Sequence, residues 1–313
     1  MIIEMFNFWY FFWLALAAGA TVGLYFFLRK RSYAFQRTVL FIFLAIGFIM
    51  HFTKASYPPY SLDEARMLRD AWFVNICAAN IALFPLFFFL KSKKIKDYMF
   101  YIGIISGLIA LFYPQEPMAK VDQLAETIDI IRFYYHHWML LSVPLLSALL
   151  GHHRPSYKRV LAAPTILLFV MLFIMLNQIF QSELGFVPLR NNSDFFGIGY
   201  KNTSYIWGPG KNDAIGNFLA MFCPKFFKEV PVGIHEGELK YWPWFWLICP
   251  VYLLIPVLSF IFALPFDAKT LIKDARELPM RIKAIPSKTK NFFIEFPKRF
   301  KDGVKAFFES KKQ

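Results

Sequence analysis

A thiol, an imidazole and a carboxamide are the residues of this sequence whose types and spacing could do covalent chemistry. Cys77 lies in the run Asn75-Ile76-Cys77-Ala78-Ala79-Asn80, and His137 lies in Phe133-Tyr134-Tyr135-His136-His137-Trp138. On a helix, Asn80 is three positions from Cys77 and shares its face, whereas Asn75 points elsewhere. An imidazole can take the proton of a thiol, the thiolate can attack an ester carbonyl, and an amide N–H can steady the resulting oxyanion. That is the minimum equipment for acyl transfer. An apolar setting disfavours a thiolate, so a close histidine or entering water is required.

Both residues stand in runs apolar enough to enter a bilayer, where an ionisable side chain is a functional candidate. Counting inward from Asp70 and Arg132 places Cys77 and His137 at about 10 Å and 8 Å below one boundary, at roughly 1.5 Å per residue. They are expected to share a level. The same layer receives His51, Asn75, Asn80, Asn177, Gln178 and Gln181; Tyr134 shares the face of His137, and His136 is turned about 100° from it. The expected substrate-binding residues are His51, Asn75, Tyr134, His136, Asn177, Gln178 and, from the following loop, Tyr205. The plainer alternatives are that Cys77 is a packing residue and that the histidines only bond a neighbouring helix, the reading favoured for His51 and His136. His152 and His153 are expected to be solvated in a loop. A glycine-rich phosphate loop, a GxSxG elbow, an HExxH pair and an intramembrane carboxylate dyad are all absent from the sequence, and no metal or cofactor is called for.

The elements that must position these groups are helices. The chain is 57% hydrophobic and 20% aromatic, which is not the composition of a soluble surface. A crossing helix needs about twenty apolar residues. Seven segments are expected to cross: 9–28, 33–52, 71–90, 98–113, 133–150, 160–180 and 241–266. The first lacks the basic n-region and short core of a cleaved signal peptide, so it is expected to be retained. Gly103 and Gly107 in the fourth, and Ala15, Gly19 and Gly23 in the first, have the spacing that lets membrane helices approach closely. The three cysteines, Cys77, Cys223 and Cys249, lie far apart and suggest neither a disulfide framework nor a zinc site.

Charge sets the expected orientation. Connections 29–37, 91–97 and 152–159 carry eleven basic residues in twenty-four positions, against five in thirty-seven for 53–70 and 114–132. Basic loops stay inside, so the N-terminus is expected outside and the C-terminus in the cytoplasm. The outer loop 181–240 contains the apolar stretch 214–222, a possible lid too short to span. Two formal glycosylation acceptors there, at Asn191 and Asn202, are frequent chance matches. The net charge of +14 lies in loops and in the last fifty residues, which points to anionic headgroups rather than nucleic acid. Residues 1–266 are thus expected to form a transmembrane domain. Residues 267–313 are expected to form a basic amphipathic cytoplasmic tail, broken into short helices by Pro279, Pro286 and Pro297.

Several stretches together resemble the YwaF-like integral membrane family, bacterial relatives of a eukaryotic transmembrane acyltransferase that remodels ether phospholipids. They are Asn75-Ile76-Cys77-Ala78-Ala79, the glycine-bearing fourth segment ending Leu111-Phe112-Tyr113-Pro114, and His137-Trp138-Met139-Leu140-Leu141-Ser142-Val143-Pro144-Leu145. Lys201-Asn202-Thr203-Ser204-Tyr205 and Trp242-Pro243-Trp244 complete the order. The resemblance implies a seven-helix fold in a cell membrane, with a cysteine on the third helix and a histidine on the fifth acting together on phospholipids. Those roles fall on Cys77 and His137. The alternatives are a lipid or small-molecule binding or transport protein using the same polar layer, and a structural membrane protein whose tail docks a partner.

Overall fold

The computed structural model describes residues 2–64, 67–68, 72–118, 124–186, 204–210, 213–230 and 236–283. Among these no strand forms beyond an isolated antiparallel bridge between Glu229 and Leu239, and the protein is all-α. The main helices are α1 (Phe8–Leu28), α2 (Tyr33–Thr53), α3 (Ile76–Phe89), α4 (Lys93–Phe112), α5 (Ile128–Leu149) and α6 (Ala162–Glu183). The short α7 (Ala214–Met221) and the long α8 (Ile248–Lys283) follow.

Local chemistry sets where they begin. Asn7, Ser32, Asn75 and Ser92 each stand one residue before a helix with a side-chain oxygen accepting an otherwise orphaned N–H. Asp213 does the same for two amides of α7. The cap at Asn75 corrects the expected third segment. Residues 72–75 are not helical, and Asn75 is fully extended (φ −147°), so α3 is only 14 residues long. The seventh segment also starts later than its hydropathy, because Trp244 (φ +66°) and a 3₁₀ turn at Phe245–Leu247 precede α8.

The chain divides into two compact units, Met1–Phe266 and Asp267–Gln313. In the first, α5 is the central helix, packed against α1, α2, α3 and α4. It is buried on nearly every face, and for that reason it can carry Asp129, Arg132, His136 and His137. Protein partners there replace the water that lipid would exclude. The perimeter is the reverse. Phe8, Phe11, Val22 and Phe26 on α1, Phe169, Phe173 and Phe180 on α6, and Leu253, Val257 and Ile261 on α8 are exposed. An apolar surface of that extent around a polar-cored bundle is a surface for lipid. Among the described residues, five helical stretches can cross a membrane by length and composition: Phe8–Leu28, Tyr33–Leu62, Lys93–Met118, Ala162–Glu183 and Phe245–Met280.

Close packing on α5 uses the α4 glycines. A Cβ at Gly107 would lie 2.7 Å from the Leu141 Cβ and 2.8 Å from the His137 carbonyl oxygen, and one at Gly103 would strike the Leu140 carbonyl. The small-residue spacing of α4 therefore fixes the height of α4 against His137. The similar spacing in α1 does not act this way, because Gly19 and Gly23 face open space. The expectation that His152 and His153 are solvated also fails. The His152 ring nitrogens are buried, and His153 bonds Asp97. In the second unit, the described residues 267–283 complete α8. Pro279 lies within that helix rather than breaking it. Pro286, Pro297 and the amphipathic aromatics of the expected tail lie outside the described residues.

Candidate functional site

Cys77 is the second residue of α3, half-buried and free of any disulfide. The start of that helix is held from three directions. Asn177 Nδ2 and Gln178 Nε2 on α6 donate to the Phe73 and Val74 carbonyls, at 3.5 and 3.4 Å. Ser204 Oγ accepts the Ile76 amide at 3.2 Å. Asn75 spends its side-chain oxygen on the Ala78 amide at 2.8 Å. Trp207 Nε1 donates to Gln178 Oε1, and Trp246 Nε1 donates to the Tyr205 carbonyl, so segment 204–210 is tied into the bundle beside α3. Tyr205 itself takes a left-handed conformation (φ +58°). Burial raises its phenol above the ordinary range, with the Asp213 carboxylate the next cause.

Asn80, one turn below Cys77, is wholly buried. Its Oδ1 accepts from the Tyr98 hydroxyl at 2.7 Å, while Nδ2 has no hydrogen-bond partner. A buried donor left unpaired is costly, and its persistence invites a functional explanation.

The two adjacent histidines of α5 differ in what their nitrogens do. His136 is engaged at both: Arg132 Nη1 lies 3.4 Å from Nδ1, and Nε2 lies 3.0 Å from the Gly47 carbonyl. A guanidinium only donates and a carbonyl only accepts, so Nδ1 is the acceptor and Nε2 carries the proton. In His137 the Phe133 carbonyl lies 2.8 Å from Nδ1, which makes Nδ1 the donor and leaves the Nε2 lone pair open. Among the described residues no hydrogen bond joins Cys77 Sγ to His137. The expected common level also loses its basis, because the helices begin at Ile76 and Ile128 rather than at the counted boundaries. Trp138, the next residue, turns toward α1 and donates to Thr21 Oγ1 at 3.0 Å.

The remaining expected residues divide. His51 approaches both His136 and Phe73, with ring centroids 6.2 and 6.1 Å apart. Tyr134 does not join them: it stacks on Trp13 of α1 at 4.9 Å, and its hydroxyl is buried without a partner. A wide apolar groove of about 580 Å³, lined by Phe48, Phe52, Phe73, Ala79, Leu83 and Phe173, opens between α2, α3 and α6.

The sequence reading passed over a buried ionic cluster. Arg132 donates to Asp129 at 2.7 and 3.1 Å and to the Tyr60 hydroxyl at 3.2 Å, with Glu116 at 3.5 Å. Lys54, also buried, lies 5.5 Å over the Tyr60 ring. The signal was present as Asp129, Arg132 and His136 at spacings of three and four, one face of a helix. It was obscured by reading Arg132 as a loop residue.

An apolar-surfaced helical bundle with polar groups gathered at its centre defines an integral membrane protein. The sequence profile of the TMEM164 family matches residues 5–262, and the chain belongs to that family. No curated protein and no solved structure matches it.

Proposed function

We propose that the protein is an integral membrane acyltransferase or lipid-remodelling enzyme in which Cys77 is the nucleophile, His137 the base and Asn80 the oxyanion donor. The observation that carries this reading is the tautomer of His137. The Phe133 carbonyl holds the proton on Nδ1 and leaves Nε2 as an unprotonated, unoccupied lone pair, the state a general base needs. The free Cys77 thiol and the orphaned Asn80 amide supply the other two parts. In the reaction, Nε2 takes the thiol proton and the thiolate attacks the acyl ester carbonyl, with Nδ2 of Asn80 donating to the oxyanion. The tetrahedral intermediate collapses to a thioester and expels the lysolipid oxygen, which recovers the proton from His137. An acceptor hydroxyl then gives its proton to Nε2, attacks the thioester and restores the thiol.

The same reading takes α1 to α6 and α8 as seven crossings of a cell membrane, with the N-terminus outside and the C-terminus in the cytoplasm. It treats α3 as a shortened helix of 14 residues completed by segment 72–75. Phospholipids are the partners, and their acyl chains match the apolar lining of the groove between α2, α3 and α6 in chemistry. The alternative, a lipid-binding or transport protein using the same polar layer, is favoured by the missing hydrogen bond between Cys77 and His137.

The test is purified protein given a fluorescent phospholipid donor and a lysolipid acceptor. Transfer should appear with the parent and vanish in Cys77→Ser, with a hydroxylamine-labile acyl group on the parent only. Equal transfer by Cys77→Ser would overturn the mechanism, and no transfer by the parent favours the carrier reading.

A further inference from the structure

At the opposite end of the bundle from His51 and Arg132 lies a second polar recess, made where α2 and α4 begin and α5 ends. Arg37 and His51 are fourteen residues apart on α2, about 21 Å at roughly 1.5 Å per residue. The recess is lined by Arg37, Lys96 and His152, with Phe88, Met99 and Pro144 as its apolar walls. Its volume of about 50 Å³ is several times the roughly 10–15 Å³ that one water requires.

The charge in this recess is not balanced from within. Arg37 donates to the Tyr33 hydroxyl at 3.2 Å, and Lys96 donates to the Phe88 carbonyl. Both cations also lie over the Phe88 ring, at 5.2 and 5.0 Å. Among the described residues neither pairs with a carboxylate. Asp97, the acid beside Lys96 in sequence, is already taken by His153 Nε2 at 2.7 Å and by Arg159. His152 turns both ring nitrogens into protein, and neither has a partner. Burial pushes its imidazole below the ordinary histidine value, and Arg37 and Lys96 push it the same way, so the two cations act on one spot. Lys96 further stands near the start of α4, where the helix dipole disfavours a cation. An unpaired guanidinium and ammonium facing one small polar recess are the elements that recognise phosphate, the fork of arginine giving direction and lysine a point charge.

We propose that this recess binds phosphate, either of a phospholipid headgroup or free in solution, independently of the Cys77 site. The ligand's oxygens accept from Arg37 and Lys96, and its apolar part rests on Phe88 and Met99.

The test uses the full chain in dodecyl maltoside, which contains no phosphate, with thermal unfolding as the readout. Inorganic phosphate is titrated against chloride at equal ionic strength, and phosphatidic acid against diacylglycerol in mixed micelles. Stabilisation by phosphatidic acid but not diacylglycerol, without a response to inorganic phosphate, assigns a lipid headgroup. Stabilisation by inorganic phosphate as well assigns a site that takes the free anion. In either case Arg37→Gln and Lys96→Gln should weaken the response at least tenfold, Lys96→Arg should retain it, and Lys93→Gln on the exposed face should leave it unchanged. Should Arg37→Gln fail to fold, the contrast between Lys96→Gln and Lys96→Arg still decides. No stabilisation by either phosphate source, or an undiminished response in Lys96→Gln, overturns the proposal.

Discussion

Two neighbouring parts of the bundle handle buried polarity in opposite ways. Around Arg132, the guanidinium meets Asp129, Tyr60 and Glu116, and His136 has a partner on each nitrogen. Around Cys77, the thiol is free and Nδ2 of Asn80 is unpaired; His137, elsewhere on α5, is likewise bonded only at Nδ1. Both parts sit within the same bundle. The difference teaches that the paired groups are spent on holding α5 to its neighbours, while the unpaired groups remain available to something that is not protein. Residue type would not separate them, since a histidine belongs to each.

The comparison breaks most visibly at Asp129. Asp129→Ala leaves the Arg132 charge buried without its closest partner, and loss of about 3–5 kcal/mol is expected for such a change. Thermal or denaturant unfolding in detergent checks it. A loss below about 1 kcal/mol would place Arg132 among the dispensable groups, since that is the usual worth of an exposed pair.

A second measurement sharpens the other side. Asn80→Leu alone strands the buried Tyr98 hydroxyl and should cost about 1–3 kcal/mol. The double variant Asn80→Leu with Tyr98→Phe removes both partners and should return close to the parent in stability. Acyl transfer should nevertheless remain reduced by about 10²–10³-fold in the double variant if Nδ2 meets the oxyanion. Recovery of stability and activity together would make Asn80 purely structural.

The smallest effect concerns the basic recess. His152 is surrounded by Arg37 from α2, Lys96 from α4 and the Tyr33 ring at 4.5 Å, with His153 alongside on its own segment. Its folded-state value lies below the ordinary 6.5, so on acidification the unfolded chain takes up this proton first. Stability from this site should therefore be full above about pH 6.5 and fall as pH drops below it. His152→Gln should flatten that fall relative to the parent, and identical pH profiles for the two would remove His152 from the cationic field.

How much of this was legible beforehand depended on the range of the interaction. Helix existence was written in runs of apolar residues about twenty long, and α1, α2 and α6 lie within a few residues of where hydropathy alone puts them. The Gly103 and Gly107 contact was likewise readable, because spacing of four places both on one face. Identical spacing in α1 carried no contact, since whether a small-residue face meets a helix is decided by what lies opposite.

The sequence by itself determined the membrane class, the helical elements and the short list containing Cys77, Asn80, His136 and His137. Tertiary structure alone decided which of these are spent and which remain free. It shortened α3 through the Asn75 cap, brought Ser204 from 128 residues away to the Ile76 amide, and set Arg132 and Gly47 on the two nitrogens of His136. The physical reason is that hydropathy and helical period are properties of neighbouring residues. The protonation pattern of an imidazole depends on which donor or acceptor lies about 3 Å away, and those partners come from helices that meet only on folding.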